Sequence, residues 1–66
     1  MNSTEYEALV GLSKSLKEMK QELDRIINGS NWSNSIALHA SFISSALFRA
    51  KMQLDDLITM IEEESQ

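Results

Sequence analysis

Two stretches decide the fold: LVGLSKSLKEMKQELDRI, from Leu9 to Ile26, and IALHASFISSALFRAKMQLDDLITMI, from Ile36 to Ile61. In both stretches apolar residues recur at alternating steps of three and four. This spacing places them along one side of an α-helix and is typical of helices that pack as coiled coils. The two stripes are Leu9, Leu12, Leu16, Met19, Leu23 and Ile26, followed by Ile36, Ala40, Ile43, Leu47, Ala50, Leu54, Leu57 and Ile61.

A short polar break separates the two stripes. Gly29 follows the first stripe and is predicted to end the first helix with a positive φ, because glycine adopts the left-handed conformation without penalty. A serine or asparagine between Ser30 and Ser33 is predicted to cap the second helix. The sequence therefore predicts an all-α, antiparallel helical hairpin in a single domain, residues 1–66, with a first helix at about 4–28, a loop at about 29–33 and a second helix at about 34–63.

Pairing the stripes around this loop brings Ile26 to Ile36, Leu16 to Leu47 and Leu9 to Leu54. The second helix then continues beyond the end of the first, so its last apolar residues have few partners. With 66 residues and no cysteine, the chain has neither a large core nor disulfides to stabilise it. Oligomerisation is the remaining means of stabilisation.

The second helix carries further apolar residues outside its stripe. A helix that is apolar or small nearly all round is typically buried. We therefore predict a homodimer that forms a four-helix bundle. The residues predicted to form its protein interface are Leu38, Phe42, Phe48 and Met52 for self-association, and Leu57, Ile58, Met60 and Ile61 for self-association or for a target protein.

No motif in the sequence indicates catalysis. The chain lacks a glycine-rich phosphate loop, has a single histidine, His39, and has no metal-ligand spacing. We expect a protein that is not an enzyme and that uses no cofactor and no metal.

The polar N-terminal segment does not resemble a signal peptide, and the apolar segment Ile36 to Phe48 is too short to span a bilayer. A cytoplasmic protein without membrane association is therefore expected.

These features predict a small protein-binding module, an inhibitor or adaptor of the kind found in phages or plasmids. The alternative is an RNA- or DNA-binding regulator that uses the basic residues of the first helix. The net charge of −4 and the pI near 4.7 weigh against that alternative. The basic residues are Lys14, Lys17, Lys20 and Arg25.

The plan of the chain, a short acidic hairpin with heptad stripes, is similar to that of the Rop family of plasmid copy-number regulators. The resemblance lies in length, charge and heptad layout. It implies a hairpin that dimerises into a four-helix bundle, and it is the basis for the nucleic-acid alternative, since Rop binds RNA loops.

Overall fold

The computed structural model describes residues 3–65, and this part of the chain forms two helices without a strand. Helix α1 spans Ser3–Gly29 and helix α2 spans Asn34–Glu64. They pack side by side as a hairpin in a molecule with principal extents of 50 × 15 × 11 Å. The predicted all-α hairpin is confirmed, and each helix end lies within one residue of its predicted position.

The connection between the helices is held by two serines. The Ser33 side chain accepts a hydrogen bond from the Ile36 backbone N–H at 3.4 Å, as expected of an N-cap. At the end of α1, both the backbone N–H and the hydroxyl of Ser30 donate to the Ile27 carbonyl. The prediction of a positive φ at Gly29 is wrong, since no described glycine has one. Ser30 satisfies the terminal carbonyl instead, and α1 ends without a left-handed residue.

One narrow side of each helix contacts the other helix. When the heptad is lettered with Leu9 and Ala40 at position a, the contacting side chains occupy positions a and e. Apart from Asp24 and Asp55, every helical side chain that is shielded from solvent within residues 3–65 occupies one of these positions. They are Tyr6, Leu9, Ser13, Leu16, Lys20, Leu23 and Ile27 in α1, and Ala37, Ala40, Ser44, Leu47, Lys51, Leu54, Ile58 and Ile61 in α2.

The contact side differs from the stripes predicted to pair. The position-a half of each stripe packs inside the hairpin, but the position-d half faces away, so that Leu12 is 56% exposed and Ile43 is 48% exposed. Each helix is rotated about its own axis by about 50°, the angle between the predicted a/d contact side and the observed a/e contact side. The predicted pairing is therefore wrong for Leu12, Met19, Ile26, Ile36, Ile43, Ala50 and Leu57.

The reason for this rotation is a repeated set of residues. The pattern S-x-x-L-x-x-x-K-x-x-L-D-x-x-I extends from Ser13 to Ile27 and occurs again from Ser44 to Ile58. All twelve of its defined residues are shielded from solvent. The two helices thus contact each other through equivalent side chains and are related by an approximate two-fold axis.

Within the repeat, serine, lysine and aspartate form two equivalent clusters. The Ser44 hydroxyl donates to Asp24 at 2.5 Å, and the Lys20 ammonium donates to the same carboxylate at 2.6 Å. In the second cluster Ser13 and Lys51 make the same two bonds to Asp55, at 2.5 and 2.6 Å. A buried hydroxyl without a partner would cost about 1–3 kcal/mol, so these bonds favour the a/e side over the more apolar a/d side.

The clusters also fix the register of the hairpin. Ser13 lies opposite Asp55, whereas the predicted pairing placed Leu9 opposite Leu54. The contact side at the end of α2 is therefore covered by α1, so the prediction of few partners is wrong for Ile58, whereas Leu57 and Met60 are exposed, at 44% and 61%. Tyr6 donates a hydrogen bond to Glu62 at 2.5 Å near this end, and Ile58 is 9% exposed.

We expect the two aspartates to make the stability of the hairpin dependent on pH. Hydrogen bonds from Lys20 and then Ser44 lower the pKa of Asp24 below its ordinary value of 3.8, and Lys51 and Ser13 do the same for Asp55. A carboxyl that ionises more readily in the folded chain stabilises it above the ordinary pKa, and this contribution is lost as the pH falls through the lower folded pKa.

Urea unfolding as the pH falls from about 5 to about 2 should therefore show a shrinking difference between the wild type and an Asp24→Asn/Asp55→Asn variant. The comparison removes the effect of the other carboxylates, which titrate in both proteins. A difference that stays constant over this range would show that the two clusters do not contribute through ionisation.

Candidate functional site

The position-d side chains of both helices lie on one face of the hairpin. Position d is about 80° away from the contact side in the same rotational sense on each helix, and because the helices are antiparallel this places both sets on the same side. Each of these side chains is exposed. Glu5 and Glu64 occupy position d at the open end of the hairpin, and we call the apolar part of this surface the d face. Its members are Leu12, Met19, Ile26, Ile36, Ile43, Ala50 and Leu57.

The d face is continuous along α2. The neighbouring position g adds His39, Ala46, Gln53 and Met60, so no formal charge at neutral pH interrupts the face from Ile36 to Met60. On α1 position g contributes Ala8, Ser15 and Glu22. A monomeric protein rarely exposes an apolar surface of this length, and such surfaces commonly mark an interaction site.

Two shallow depressions lie on the d face. The first is next to the loop and is lined by side chains of both helices and by Trp32, which is 41% exposed. The second lies near the end of α2 and includes Leu57, Met60 and Ile61. An amphipathic aromatic ring at the rim of an apolar depression is a frequent anchor in protein interfaces. The first depression is lined by Leu23, Trp32, Ser35, Ile36, His39, Ala40 and Ile43.

A second apolar surface lies on the outer side of α2. We call it the outer stripe, and its members are Leu38, Phe42, Phe48 and Met52, all of which are exposed. Phe48 lies near α1, with its ring centroid 6.0 Å from the Lys20 ammonium. Beside it a groove is bordered by Leu16, Lys17 and Met52. The outer stripe thus has basic residues at its edge.

The predicted interface residues are distributed over three environments. Leu38, Phe42, Phe48 and Met52 form the outer stripe. Leu57 and Met60 lie on or beside the d face, where Met60 is strongly exposed. Ile58 packs inside the hairpin and Ile61 is half-buried at its edge, so these two residues belong mainly to the hairpin core.

Six members of the d face were not predicted as binding residues: Leu12, Met19, Ile26, Ile36, Ile43 and Ala50. The stripes assigned all six to the hairpin contact. The repeated pattern is the sequence signal that separates the two sets, because its residues fall at the contact positions and none of these six belongs to it.

Two of the four basic residues proposed for nucleic-acid contact are engaged by acidic neighbours. Lys20 pairs with Asp24, and Arg25 pairs with Glu22 through hydrogen bonds from both Nε and a terminal nitrogen. Lys14 and Lys17 are exposed. Acidic partners therefore neutralise two of the four residues, and nucleic-acid contact through them stays a prediction.

Comparison with other proteins identifies no relative. No protein-family model, no curated protein and no solved structure matches the chain. Neither helix, over residues 3–65, is long and apolar enough to cross a membrane.

Proposed function

We propose that the protein is a cytoplasmic, non-enzymatic protein-binding module that works as a homodimeric four-helix bundle and acts on another protein as an inhibitor or adaptor. The d face carries this proposal. In a four-helix bundle each helix uses part of its apolar stripe against its hairpin neighbour and the rest against the other hairpin. In this hairpin, positions a and e pack against the neighbouring helix, and position d is left open for a second hairpin.

The energetics support self-association. Each large side chain of the d face is about half exposed, so covering it is worth roughly 1 kcal/mol. Six such side chains on each of two copies would contribute an amount comparable to the association cost of about 4–15 kcal/mol. A small hairpin with little internal core gains more from this burial than a larger domain would.

The outer stripe supports the second part of the proposal. If the d face binds the second copy, the outer stripe stays accessible on the outside of the bundle, and each dimer presents it twice. A rigid helix with aromatic and methionine side chains on one side is suited to a groove or to a helix of a target protein.

We expect sedimentation equilibrium at micromolar concentration to give about twice the mass of the 7.5 kDa chain. Circular dichroism on the same samples should report helix content near that of the hairpin. A folded protein that remains at the mass of a single chain would overturn the homodimer. Protein unfolded below the association concentration and helical above it would support the proposal and show that dimerisation and folding are coupled.

A further inference from the structure

We propose that the d face binds a second copy of this chain in one orientation, with the two loops at opposite ends of the bundle. This inference rests on the proposed homodimer and specifies its arrangement. It follows from two observations: the approximate two-fold relation between the helices, and the unequal distribution of charge along the hairpin.

The apolar pattern alone does not select an orientation. Because the two helices are related by an approximate two-fold axis, the d face looks similar when the hairpin is turned end for end. With the loops at the same end, Met19 would face Ala50 of the second copy and Leu12 would face its Leu57. With the loops at opposite ends, α2 packs on α2 and α1 packs on α1 of the second copy. Both arrangements cover the d face.

The charges distinguish the two arrangements. The half of the hairpin that contains the loop, residues 17–51, has five basic and three acidic side chains and a formal charge of +2. The open half, formed by the two remaining segments, has one basic and seven acidic side chains and a charge of −6. The seven are Glu5, Glu7, Asp55, Asp56, Glu62, Glu63 and Glu64.

Placing the loops at the same end would bring the two strongly acidic halves together along their whole length. Placing them at opposite ends moves the two acidic halves to opposite ends of the bundle, away from each other. With helix axes about 10 Å apart, charged side chains that extend from neighbouring helices come within the screening length of about 8 Å at physiological salt. Electrostatics therefore favour loops at opposite ends.

The positions of the large side chains suggest the register of this dimer. A two-fold axis between Ile43 and Ala50 of α2 pairs isoleucine with alanine and places Ile36 against Leu57 of the second copy. On α1 the same axis lies between Met19 and Ile26. The Trp32 ring then reaches the level of Leu12 of the second copy, and Glu62 to Glu64 extend beyond its loop into solvent.

Two spin-label distances test both orientation and register. The chain has no cysteine, so single Thr4→Cys and Asn31→Cys variants can each carry one label. From the helical rise, loops at opposite ends predict about 55 Å between the Thr4→Cys labels and about 25–30 Å between the Asn31→Cys labels. Loops at the same end predict about 10–20 Å for both. Dilution with unlabelled protein confirms that the distances are intermolecular.

The outcomes are distinguishable from failure of the homodimer itself. Short distances for both variants, in a protein that sediments as a dimer, would overturn the orientation and leave the homodimer standing. A monomeric mass with no intermolecular distance would overturn both proposals. The electrostatic reason has its own test, because a Glu62→Gln/Glu63→Gln/Glu64→Gln variant should add a population with short distances. A variant with unchanged distances would contradict that reason.

Discussion

Replacing Ile43 by aspartate is expected to convert the dimer into a monomer, whereas replacing its neighbour Phe42 by aspartate is not. Ile43 lies near the middle of the d face, and the two-fold arrangement would bury two unpaired carboxylates in an apolar contact. We expect the dimer dissociation constant to rise on the order of 100-fold or more. Phe42 lies in the outer stripe, where a carboxylate stays in water.

The two variants form a closely matched pair. They introduce the same charge at adjacent positions of α2, and the original side chains are similarly exposed in the hairpin, 48% for Ile43 and 60% for Phe42. Sedimentation at several concentrations gives both dissociation constants. If Phe42→Asp dissociates the dimer and Ile43→Asp does not, the outer stripe is the self-association surface, as the sequence alone predicts, and the d face is left for the target protein.

Replacing Ile58 by alanine is expected to be the most damaging apolar truncation in the hairpin. Ile58 is 9% exposed and belongs to the repeated pattern, so its removal leaves a cavity between the helices. Such a change typically costs about 2–5 kcal/mol, a large part of the stability available to a domain of this size. We expect the variant to lose most of its helical circular dichroism at room temperature or to melt well below the wild type.

Met52→Ala is the control for this prediction, because Met52 is also an apolar residue of α2 but is 53% exposed in the outer stripe. It should change stability by no more than about 0.5 kcal/mol. Urea unfolding of the two variants at one protein concentration makes the comparison. Equal losses of stability would contradict the a/e packing of the hairpin.

The sequence by itself determined the elements of this protein. Residues 5–28 contain no proline and a single glycine, Gly11. Apolar residues recur at alternating steps of three and four in both stretches, and this pattern predicts two long helices. The break was equally clear, because Ser33 is a strong N-cap beside a polar run. The heptad pattern also predicts the outer stripe, because its members lie outside the heptad stripe of α2. They are Leu38, Phe42, Phe48 and Met52.

Only the tertiary structure decided how each helix is rotated about its own axis. An apolar stripe shows which side of a helix avoids water, but it does not show how that side is shared between the hairpin neighbour and a further partner. Here the rotation is determined by two cross-helix hydrogen bonds, Ser13 to Asp55 and Ser44 to Asp24, which form only when positions a and e face the other helix. A hydrophobic stripe is a broad, non-directional signal, whereas these polar pairs have one geometry, and they turned Ile43 and its equivalents outward to form the d face.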